Sequence, residues 1–149
     1  MFQRILVPVD GSPTSLAAVD KAIGLAKAFG STVTTIYVVD PYPFTGVGSE
    51  FAYGQAEYLS AATAVAHDAI RAAREALEAA GVKVETSVVE DHTPWRGILA
   101  SAGAIEADLI VMGSHGRRGI EKLVLGSVAQ RVLQHAAIPV LVVRGQDAD

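Results

Sequence analysis

Three glycines and a serine carry the most specific chemistry in this chain: Gly113, Gly116, Gly126 and Ser127, spaced Gly-x2-Gly-x9-Gly-Ser. Glycine admits backbone conformations that turn successive N–H groups to one side, and it puts no side chain in the way of an anion. Gly126-Ser127 stands where a helical pattern begins, and the free N–H groups and positive dipole end of a helix start favour phosphate. The Ser127 hydroxyl is expected both to cap that helix and to donate to a phosphate oxygen. Arg117, Arg118 and Lys122 are the local basic cluster of a chain whose net charge is −4. Arg117 and Arg118 either touch the phosphates or stay solvated. A small basic cluster in an acidic protein suits a compact anion better than a polyanion, and duplex DNA held on a broad basic face is not expected.

Asp10, in Val9-Asp10-Gly11-Ser12, is the second candidate. It sits where an apolar run ends, so it is either a carboxylate aimed at a ligand or the first residue of a turn.

These residues need a frame, and the hydrophobic period supplies one by switching repeatedly between strand and helix. Ile5–Val9 is a buried strand, and Ser12 caps a helix with Pro13 at its first position. Leu16, Val19, Ile23 and Ala26 form that helix's apolar face, and Gly30 ends it. Val33–Val39 is a second strand, rich in β-branched residues. Prolines and glycines between Asp40 and Gln55 predict a long loop.

An Ala-rich helix follows over Glu57–Ala80, with Leu59, Ala66, Ile70, Ala73 and Leu77 on one face and Gly81 as its stop. Val82–Val89 partly alternates, as an edge strand does, and Thr93-Pro94 opens a short helix bearing Trp95, Ile98 and Leu99. Leu109–Met112 is a buried strand, Ser127–His135 a helix, and Pro139–Val143 the last strand. Five strands alternating with four helices predict one α/β domain over residues 1–149, with a mainly parallel sheet. Pro8 fits inside the first strand only if the ladder on its nitrogen side has already ended. The connection from Gly113 to Gly126 exceeds the about 2–6 residues usual after a strand, which points to function.

The glycine spacing, the opening Ile5-Leu6-Val7-Pro8-Val9-Asp10-Gly11-Ser12 and the closing Pro139-Val140-Leu141-Val142-Val143 together resemble the ATP-binding type of the universal stress protein family. The resemblance covers essentially the whole chain. It implies a Rossmann-like sheet of the adenine nucleotide alpha hydrolase type, sandwiched by helices, with strand order 3-2-1-4-5. It also implies roles: Asp10 contacts the ribose or a metal, Pro8 and Val9 line the adenosine pocket, and the Val38 backbone reads the adenine edge. Gly113, Gly116, Gly126 and Ser127 hold the phosphates, helped by Val128, and Met112 and Arg117 complete the binding set. ATP is the expected ligand, with ADP, AMP and accompanying Mg2+ left open.

The expected function is regulatory: a nucleotide orders the glycine segment and alters a surface that another protein recognises. The alternatives are a slow ATPase or self-phosphorylating enzyme, and a nucleotide-independent interaction module. No Walker lysine motif G-x-x-x-x-G-K-[ST] is present, and no base for water joins the glycine motif. An ATP-pyrophosphatase would want a Ser-Gly-Gly-type loop where Asp10-Gly11-Ser12-Pro13 stands.

His115 is read as a loop residue, since no partner orients it, and His135 as a helix-end cation. His67 and His92 lack metal-ligand spacing, Trp95 packs its helix onto the sheet, and Gly46-x-Gly48 lacks the setting of a dinucleotide fingerprint. With no cysteine, a disulfide framework and thiol catalysis are excluded, in keeping with a cytoplasmic protein. No secretory signal and no membrane insertion are expected, because Met1-Phe2-Gln3-Arg4 leads straight into a strand and no apolar run reaches about 18 residues. The continuously apolar Val140–Val143 predicts a homodimer through that edge.

Overall fold

The computed structural model describes residues 1–41, 49–115 and 125–145, and only the backbone at 49–53 and 55. Its elements run β1 (Arg4–Pro8), α1 (Pro13–Phe29), β2 (Thr32–Val39), α2 (Ser49–Ala79), β3 (Lys83–Glu90), α3 (Pro94–Ala104), β4 (Leu109–Gly113), α4 (Ser127–His135) and β5 (Val140–Val143). The five strands form one parallel sheet in the order β3-β2-β1-β4-β5. Winding therefore reverses between β1 and β4, and their carboxyl ends meet at the switch point.

Two cores flank the sheet. Ile5 and Val7 of β1 and the following Val9 pack with Ala18, Val19, Ala22 and Ala26 of α1 and Ile70, Ala73 and Leu77 of α2. Leu6, Ile36, Ile110 and Met112 pack on the other side with Ile98 and Ala102 of α3 and Ala129 and Val132 of α4. Alternate residues of a strand thus feed opposite cores, which is why β1 and β4 read as unbroken apolar runs.

The turn chemistry is local. Ser12 Oγ accepts from Ser15 N at 3.2 Å to cap α1. Gly30, at φ 68°, closes the helix by donating to Ala26 O at 2.8 Å. Pro8 is accommodated because Val9 N donates to Ile36 O of β2 at 2.8 Å. The preceding nitrogen therefore faces β4, where register ends at Leu6↔Ile110. No donor is missed there.

Three expectations need correction. The stretch expected to be loop up to Gln55 turns helical at Ser49, so α2 runs through Gly54. An isolated glycine costs a helix only about 1 kcal/mol, less than the long alanine-rich segment supplies. Leu16 is 48% exposed and lies off the buried face of α1, which carries Thr14, Ser15, Ala18, Val19, Ala22 and Ala26. Small residues hold that face because the helix lies close on the sheet. Leu59 is only half-buried, while Ala66, Ile70, Ala73 and Leu77 are buried as expected.

Candidate functional site

At the carboxyl edge, a crevice of about 430 Å³ opens where β1 and β4 end. That volume lies in the range of small-molecule sites. Pro8, Val9, Asp10, Val38, Met112, Gly113, Gly126, Ser127 and Val128 all line it. Gly116 and Arg117, with Arg118, Lys122, Gly46 and Gly48, lie outside the described residues. Sequence reasoning missed Tyr37, Thr14, Pro94 and Ile98, which also line the crevice. Only the position of Tyr37 beside Val38 could have signalled one of them. Pro94 and Ile98 arrive because Gly97 lets α3 settle on β2: a Cβ there would stand 3.1 Å from Val38 Cγ1.

The apolar wall comes from Val38, Ile98 and Met112, the polar end from the starts of α1 and α4. Those two helix starts differ. α1 has a side-chain cap, whereas α4 begins at Gly126 without one. The first backbone donor of α4 with a partner is Gln130 N, bonded to Gly126 O at 2.9 Å. Among the described residues, the N–H groups of Ser127, Val128 and Ala129 therefore have no acceptor, and all three residues line the crevice. Uncapped amides at the positive end of a helix suit an anion.

Gly113 and Gly126 stand where expected, for a different reason. Neither is among the positive-φ glycines, which are Gly11, Gly30 and Gly81 among the described residues. Both are instead places of close approach. A Cβ at Gly113 would lie 2.7 Å from Thr14 Oγ1, and one at Gly126 would lie 3.0 Å from His115 Cα and Ser114 O. Gly126 N donates to Ser114 O at 2.7 Å, which draws the start of α4 against the end of β4. Thr14 Oγ1 donates to His115 O, tying the same segment to α1.

The cap expected of Ser127 is corrected: the cap position belongs to Gly126, and Ser127 is the exposed first residue of α4. Its hydroxyl makes no cap bond. At Asp10 the turn alternative is seen directly. Oδ1 accepts from Ser12 N at 2.9 Å, a turn bond favoured by Gly11 at φ 81°, yet the half-buried carboxylate also lines the crevice. His115 does have a partner, since its Nδ1 lies 3.1 Å from the hydroxyl of buried Ser114.

Away from the crevice, His92 Nδ1 lies 3.1 Å from Asp40 Oδ1, joining the ends of β3 and β2. Among the described residues, no group of three or more His, Asp or Glu side chains is placed to hold a metal ion. Nor is any described helix long and apolar enough to cross a membrane.

The model of the universal stress protein family matches residues 1–144. A universal stress protein of Methanocaldococcus jannaschii is 41% identical over 145 residues, covering 97% of this chain and 83% of that protein. The solved universal stress protein UspA of Lactobacillus plantarum superposes with a TM-score of 0.85 at 30% identity, covering 96% of this chain and 98% of that one. A universal stress protein solved in complex with cAMP superposes with a TM-score of 0.69 at 28% identity, covering 97% and 98% of the two chains.

Proposed function

The chain belongs to the universal stress protein family, and from that premise we propose that its crevice binds ATP and that the protein is a nucleotide-dependent regulator in the cytoplasm. One observation carries the assignment: the uncapped N–H groups of Ser127, Val128 and Ala129 face the same crevice as the apolar wall of Val38, Ile98 and Met112. An apolar slot ending in a ring of free donors matches a nucleoside carrying phosphate. A family member solved with cAMP adds support for an adenine ligand.

In this assignment the Val38 backbone reads the adenine edge, and Pro8 and Val9 border the adenosine. Asp10 meets the ribose or a cation, and Gly116 and Arg117 join Gly113, Gly126, Ser127 and Val128 around the phosphates. Mg2+ fits these residues in one way. Asp10 is the single carboxylate among the described lining residues, and Mg2+ commonly takes one or two carboxylates together with substrate phosphates. Bound so, it would supply charge neutralisation at the phosphates, while Asp10 and the α4 amides hold the nucleotide in place.

Binding, not turnover, is the function. The chain carries no Walker lysine motif G-x-x-x-x-G-K-[ST] to place charge on the transferring phosphate, which phosphoryl transfer depends on. Occupancy would instead favour one arrangement of the segment between Gly113 and Gly126, and a partner protein reads it. Homodimerisation through β5 belongs to the same proposal. β5 is an edge strand, its Leu141 is 40% exposed, and among the described residues no second strand covers it.

The direct test is the mass spectrum of what leaves the purified protein on denaturation. An adenine nucleotide in near-stoichiometric amount is expected. Release of none, together with failure to take up added ATP, would leave only the nucleotide-independent interaction module.

A further inference from the structure

The two helices that bound the crevice are joined by a ring stack outside its lining. The indole of Trp95 and the imidazole of His135 stack with ring centroids 4.6 Å apart and planes 16° from parallel. Trp95 is the second residue of α3 and His135 the last of α4. Trp95 is half-buried against the core beneath both helices, whereas His135 is exposed. The Arg96 guanidinium lies 5.2 Å from the indole centroid, so the indole contacts a cation as well as the imidazole.

Both helices present their first turns to the crevice. Pro94 and Ile98, on either side of Trp95, line it from α3, and Ser127, Val128 and Ala129 line it from α4. The crevice is therefore only as well defined as the placement of α3 against α4. α4 is only nine residues long and buries two of them, Ala129 and Val132, so a contact at its far end adds to a short list of anchors. Stacked aromatic rings prefer one offset geometry and contribute beyond the area they bury.

We propose that Trp95 and His135 form a clasp that fixes α3 against α4 and so presets the crevice for its ligand. They are positioning residues, outside the crevice itself, and act through Pro94 and Ile98 on one side and the α4 amides on the other. The clasp rests on the nucleotide assignment only for its effect on affinity; the helix placement stands without it.

His135→Ala is the test, because an exposed side chain can be removed without opening the core, and His135→Phe restores a stacking ring. Trp95 is the chain's only tryptophan, so its emission reports the stack directly. In His135→Ala the emission should shift to the red, and amide exchange in the first turn of α3 should accelerate. ATP affinity by calorimetry should fall about tenfold, the scale set by losing one stacked pair. His135→Phe should return both exchange and affinity to wild-type values. Unchanged α3 exchange in His135→Ala overturns the clasp, whether or not ATP binds. Unchanged affinity beside accelerated exchange overturns its link to the crevice. A wild-type protein that takes up no adenine nucleotide defeats the proposed function, and the exchange result still decides the clasp.

Discussion

No side chain fits at Gly113, because Thr14 stands against it: a Cβ there would lie 2.7 Å from Thr14 Oγ1 and 2.9 Å from the Thr14 backbone carbon. The first glycine of the motif thus secures α1 to the end of β4, and the donors proposed to meet phosphate come from α4. Gly113→Ala should therefore destabilise the fold by about 1–3 kcal/mol, the usual cost of overpacking. Urea unfolding checks it, and an unchanged midpoint would show that α1 can retreat freely.

Asp10 separates turn from ligand. An asparagine at position 10 keeps an oxygen for Ser12 N, so Asp10→Asn should leave stability within about 0.5 kcal/mol of wild type. It removes the charge offered to the crevice, so nucleotide affinity measured with Mg2+ should drop. Asp10→Ala should lose affinity and stability together. Equal affinity in wild type and Asp10→Asn would reduce the residue to a turn former.

Gly97 tests the apolar wall. A methyl group there meets Val38 Cγ1 and Asp91 Cβ, each at 3.1 Å. Gly97→Ala should push Val38 or α3 and weaken nucleotide binding about tenfold, or 1.4 kcal/mol, in calorimetry. Tight binding in this variant would move the base away from Val38.

Much of this frame was legible in the chain. The alternation of β-branched runs with capped helices gave the elements, and both terminal strands with the glycine spacing gave the strand order through the family pattern. The location of Gly113 and Gly126 was legible as well, but its reason was not. Glycine suits an anion cradle and a close approach equally well, and only the positions of Thr14 and His115 tell them apart. For the same reason Gly126→Val would be a poor probe of phosphate binding, since its side chain strikes Ser114 and His115 first. Pro94, Ile98 and the Trp95–His135 stack depend on how α3 crosses the sheet, and no local pattern encodes that.

The edge strand yields a dimer prediction with a defined backbone probe. Ile110 N donates to Pro139 O, just before β5, at 3.0 Å and Ser114 N to Val143 O at 2.8 Å, so the odd-numbered positions from Pro139 to Val143 face β4. The N–H of Val142 therefore points to the open edge. Val142→Pro removes only that donor and should convert a dimer to a folded monomer in sedimentation. A wild-type monomer at micromolar concentration would refute pairing through β5.

Calorimetry of ATP with the nucleotide-stripped protein tests the central claim most directly. A crevice that pairs an apolar wall with free helix amides should bind with a dissociation constant near micromolar, about −8 kcal/mol. ADP and AMP should compete for the same site. Absence of binding heat for all three nucleotides up to millimolar concentration, in protein shown to be folded and empty, would contradict the assignment.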